Sequence, residues 1–77
     1  MEAEKLVKMA NQIASFFEAE PDRALALEGI AGHLKRFWDP RMRREILRFV
    51  DEHGGEGLRE SALAAIRDHR ERLAPRD

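Results

Sequence analysis

The 77-residue chain contains no cysteine, tyrosine or threonine, a single tryptophan, and only two serines, Ser15 and Ser61. Without cysteine there is no disulfide and no thiolate metal site. With two hydroxyl side chains in all, the usual nucleophiles of covalent catalysis are nearly missing. No apolar run approaches the about 20 residues that a membrane span requires, and the polar, acidic start Met1-Glu2-Ala3-Glu4-Lys5 is unlike a secretion signal. A soluble, cytoplasmic chain is expected. His33, His53 and His69 fall on three different predicted helices, and apart from loosely placed acids they lack the i,i+3 or i,i+4 partner of a helical metal site. No catalytic, cofactor-binding or metal-binding residue is assigned, and an enzyme acting alone is not expected.

What the chain does have is charge and helical periodicity. Its net charge of −1 hides an asymmetry. Residues 1–32 carry three Lys/Arg against six Asp/Glu, residues 33–48 six against two, and residues 49–77 five against seven. A basic waist between acidic flanks suits a protein contact better than long-range attraction to nucleic acid, whose footprint is a broadly basic domain. The length allows one domain with a modest core, in the range where support from a partner or from oligomerisation is common.

Apolar residues recur at three- and four-residue steps, which predicts an all-α fold, a small bundle of three to four short amphipathic helices. A first helix over about 3–19 carries the stripe Leu6, Met9, Ala10, Ile13, Phe16 and Phe17, with Glu2 and Glu4 suiting its N-terminal dipole. Pro21 marks its boundary. A second helix, from near Asp22 to Phe37, carries Leu27, Ile30, Ala31, Leu34, Phe37 and Trp38, with Leu25 facing elsewhere. Gly29 and Gly32 lie inside it, each costing about 1 kcal/mol relative to alanine. Close helix packing, or the approach of a partner backbone, would account for them. A third helix, from Pro40 to about Glu52, points Met42, Ile46, Phe49 and Val50 inward with Leu47 beside them, and ends at Gly54-Gly55. A fourth, from about Leu58 to Leu73, has the thin stripe Leu58, Ala62, Ala65, Ile66, His69 and Leu73, and should be the most weakly held. Residues 1–73 thus form one helical domain and 74–77 a frayed tail.

The densest stretch is Lys35-Arg36-Phe37-Trp38-Asp39-Pro40-Arg41-Met42-Arg43-Arg44. Pro40 disfavours the α conformation at Asp39, so the second helix must stop near Trp38. Asp39 is then free to cap the third, with Pro40 at its first position. Lys35 and Arg36 suit a helix C-terminus, whereas Arg41, Arg43 and Arg44 crowd an N-terminus whose dipole disfavours them. Either Arg41 pairs with Glu45 at i,i+4 and the rest are solvated, or the arginines meet an acidic partner. Since Trp and Arg are enriched in interface hot spots, Phe37, Trp38, Arg41, Arg43 and Arg44 are the candidate partner-binding residues. A DNA-reading helix after Asp39 is disfavoured, because that helix lacks the Asn and Gln that read bases. Self-association remains open, given Phe16, Phe17, Phe37, Trp38 and Phe49 on so small a chain.

Four blocks go together: Lys5-Leu6-Val7-Lys8-Met9-Ala10-Asn11-Gln12-Ile13; Phe16-Phe17; Gly29 through Arg43, which includes Phe37-Trp38-Asp39-Pro40-Arg41-Met42-Arg43; and Gly54-Gly55-Glu56-Gly57-Leu58. Over residues 5–58 they resemble the small delta subunit of soluble NAD-dependent formate dehydrogenases. The resemblance implies a non-catalytic accessory chain of a cytoplasmic bacterial complex that oxidises formate with NAD. The molybdenum or tungsten pterin, the iron–sulfur clusters and the flavin are then held by the alpha, beta and gamma subunits and none by this chain. The implied role is assembly or stabilisation of the holoenzyme, including insertion or retention of its cofactor. The resemblance assigns no binding residues. A free-standing homo-oligomeric adaptor or a small nucleic-acid-binding module is the alternative.

Overall fold

The computed structural model describes residues 3–75, and all its regular structure is helical. Helix α1 spans Ala3–Phe17, α2 Arg23–Phe37, α3 Pro40–His53, α4 Glu60–Asp68 and α5 Arg70–Leu73. The boundaries follow local chemistry. At the start of α2 the Asp22 carboxylate accepts the N–H groups of Ala24 and Leu25 at 3.0 and 3.3 Å. Asp39 repeats this at α3, accepting from Met42 N–H at 2.9 Å with Pro40 in the first turn. Helix α3 ends on Gly54 in the left-handed conformation (φ 67°), the backbone state glycine adopts without a Cβ clash. Glu2 and the last two residues of the expected tail lie outside the described residues.

Helix α2 packs against α1, α4 and α5, while α3 packs against α1 and α5. Consecutive helices α2 and α3 are therefore held together largely through α1 on one side and α5 on the other. Leu6, Ala10, Ile30, Leu34, Ile46, Ala62, Ala65, Ile66 and Leu73 are fully buried at the centre.

Three expectations need correction. The buried stripe of α1 is Leu6, Val7, Ala10 and Ala14, with Met9, Ile13 and Phe17 half-buried beside it, and Phe16 is 75% exposed. It is rotated from the predicted stripe because α1 lies close to its neighbours, where alanine fits and phenylalanine does not. The single fourth helix is two. Leu58 and Arg59 precede α4, with Arg59 extended (φ −61°, ψ 152°) and its N–H donating to the Asn11 side chain at 2.8 Å, and the helix is interrupted at His69 (φ −112°, ψ 28°). That interruption seats Leu73 in the core and turns its carbonyl towards α3. Nor is this segment marginal to the core: its alanines let it pack closely against both α1 and α2.

Candidate functional site

The basic corner is built differently from the surface expected of it. Trp38 ends α2 in extended backbone, and its indole turns into the core, 5% exposed. Arg43, one turn into α3, is 7% exposed. Its Nε donates to the carbonyl oxygen of Trp38 at 3.2 Å and its Nη1 to that of Leu73 at 3.1 Å. The acceptors stand just past α2 and at the last residue of α5, so two carbonyl oxygens meet the positive charge that the start of α3 disfavours. Of the five candidates, Trp38 and Arg43 thus face inward, as a clamp joining α2, α3 and α5. Phe37, Arg41 and Arg44 are exposed. The i,i+4 pairing of Arg41 with Glu45 is not formed among the described residues.

Phe37 belongs instead to a second surface, across α1 and α2. Phe16 meets Phe17 edge-on at 5.2 Å between ring centroids, Phe17 approaches His33 at 6.3 Å, and His33 lies against Phe37 at 4.6 Å. Phe16 and Phe37, at the two ends of the row, are 75% and 65% exposed. Phe17 lies over Gly29: a Cβ there would stand 2.5 Å from the ring. Close helix packing therefore accounts for this glycine. At Gly32 an added Cβ would meet only the Arg72 guanidinium, at 3.6 Å. Leu25, 53% exposed, continues the same outward side of α2, four residues before Gly29. Two shallow clefts open on this face. One, about 360 Å³, is lined by Gln12, Ile13, Phe16, Phe17 and His33, and the other, about 230 Å³, lies over Gly29, Gly32 and Arg36 and shares Phe17 and His33 with the first. The wall is almost wholly apolar in the larger cleft, so what it can accept is an apolar side chain.

A third cluster fastens the 54–59 turn. The Asn11 side chain donates to the Gly57 carbonyl at 2.9 Å and accepts from Arg59 N–H. Glu18 receives both arms of the Arg59 guanidinium, at 2.9 and 2.6 Å, and the Ser61 hydroxyl. These bonds hold the Glu18 carboxyl down, from 4.5 to about 2, chiefly through Arg59 and then Ser61. Nothing adjacent in the sequence marks Asn11 and Glu18 for this role, since their partners lie more than 40 residues away. The only local signal was the lone Asn within α1. His53 stacks on Phe49 at 5.4 Å, and His69 lies at the α4–α5 break. Among the described residues no group of three or more His, Cys, Asp or Glu is placed to hold a metal ion.

Fold and surface together define a small all-α bundle with an uncovered aromatic face. Residues 5–66 match the family described as NADH-dependent formate dehydrogenase delta subunit, FdsD, and the chain belongs to that family. It is thereby placed among the subunits of an oxidoreductase complex. No curated protein and no solved structure matches the chain. The match covers the Asn11 and Gly57 segments that meet in space and the basic stretch 35–44, but not Leu73, whose carbonyl Arg43 holds.

Proposed function

We propose that the chain is a non-catalytic delta subunit that stabilises an assembled NADH-dependent formate dehydrogenase in the cytoplasm. The reaction of that complex, formate plus NAD giving carbon dioxide plus NADH, is carried out on partner subunits. These hold the molybdenum or tungsten pterin, the iron–sulfur clusters and the flavin. The delta chain acts on their assembly and on the insertion or retention of the pterin. The observation that carries this reading is the family match over residues 5–66, on a chain that leaves Phe16 and Phe37 uncovered. Exposed aromatic side chains on so small a bundle are costly to leave in water and suit a lasting contact.

The test is co-production of the formate dehydrogenase subunits with and without this chain. Complex size, metal per large subunit and formate-dependent NAD reduction are measured. Omission is expected to lower the yield of intact complex or its metal content, while each fully loaded complex turns over at the usual rate. Equal assembly and equal loading without the chain would sink the proposal.

A further inference from the structure

We propose that the α1–α2 aromatic face receives an acidic amphipathic helix of a partner subunit, whose apolar side chains enter the two clefts. This deepens the accessory-subunit reading and rests on it. The row Phe16, Phe17, His33 and Phe37 is continuous, and its two clefts share Phe17 and His33 as a common wall. Neighbouring apolar side chains from one face of a helix fill such a pair, as in helix-in-groove recognition. Gly32 leaves the floor of the smaller cleft without a side chain, and the Arg72 guanidinium, 3.6 Å from where a Cβ would stand, borders it.

The acidic character follows from the charges at the rim. Arg36 lines the smaller cleft with Phe37, the Arg72 guanidinium reaches over Gly32, and Lys35, exposed on the flank of α2, borders a neighbouring cleft with Arg72. Among the described residues none of these three cations has an ion pair. Elsewhere on the molecule Arg23, Arg59 and Arg70 are each held by both arms, on Glu60, Glu18 and Asp51. Glu71 shares a cleft with Lys35 and Arg72, one carboxylate against two cations, and Arg36 adds a third positive charge on the neighbouring one. Carboxylates on the incoming helix would meet these donors, and charge complementarity of this kind fixes register and partner choice. A second copy of the chain would bring the same three cations to the contact, which disfavours self-pairing through this face.

Phe16 and Phe37 lie outside the core, so changing them leaves the fold intact, a point that circular dichroism and thermal melting check directly. The full-length tagged chain is co-produced with the other subunits of the complex and purified at low and high salt. Three variants are compared with the parent: Phe16→Ser with Phe37→Ser; Lys35→Glu with Arg36→Glu and Arg72→Glu; and Arg48→Glu, a charge reversal on α3 as control. The first two are expected to bind at least tenfold more weakly, and the control as the parent does. Binding of the parent is expected to fall with salt, and binding of the charge variant to lose most of that dependence. If the parent co-purifies and both face variants do so equally well, the aromatic face is idle and this proposal is overturned while the accessory role stands. Failure of the parent itself to associate removes both. A salt-insensitive parent overturns the acidic helix. Variants that abolish only self-association in sedimentation, with subunit binding intact, overturn it in favour of a second copy.

Discussion

The guanidinium of Arg43 and the carbonyl of Leu73 are joined by a 3.1 Å hydrogen bond across 30 residues of sequence. With the 3.2 Å bond from the same side chain to Trp38, it ties the end of α2, the start of α3 and the end of α5 at one buried point. The basic cluster is thus divided: one arginine holds the corner shut, while Arg41 and Arg44 stay at the surface.

Replacing Arg43 by alanine leaves two buried carbonyls without their donor. A loss of about 2–4 kcal/mol in unfolding free energy is expected, since hydrogen bonds to charged groups contribute well above the neutral average. Arg43→Lys should recover only part of it, because one ammonium cannot reproduce the two-armed geometry. Urea denaturation of the three proteins decides this, and an Arg43→Ala chain as stable as the parent would show the clamp to be idle.

Trp38 provides a spectroscopic check on the same corner, being the only tryptophan. At 5% exposure it should emit at short wavelength and resist acrylamide quenching in the isolated chain. Trp38→Ala is expected to cost about 3–5 kcal/mol, as for other buried aromatics. A solvent-like emission spectrum for the folded chain would contradict its burial.

The two α2 glycines should respond oppositely to alanine. Gly32→Ala is expected to raise stability by up to about 1 kcal/mol through helix propensity, since nothing stands closer than 3.6 Å to the added Cβ. Gly29→Ala must displace the Phe17 ring, and overpacking of this kind costs about 1–3 kcal/mol. Melting curves that rise equally for both variants would show that Phe17 does not occupy the space above Gly29.

Glu18 predicts an acid-sensitive turn. Its carboxyl is held below its ordinary value in the folded chain, so folding is favoured by its ionised form. That contribution is complete above about pH 4.5 and fades as the pH falls towards about 2, the folded value. Thermal midpoints measured across this window should fall for the parent and change less for Glu18→Gln. Parallel curves for the two would mean that the Arg59 and Ser61 contacts do not set the titration.

By itself the sequence determined the helical class and most helix ends. Asp22, Asp39, Pro40 and Gly54 act on backbone within about four residues of themselves, and chemistry of that range is readable along a chain. Tertiary structure decided which side chains face out. A broad apolar stripe does not say whether Ala14 or Phe16 is innermost, and only the closeness of the neighbouring helices excludes the larger one. The same holds at the corner, where Trp38 and Arg43 look like contact residues until the Leu73 carbonyl, 30 positions further on, is brought within reach.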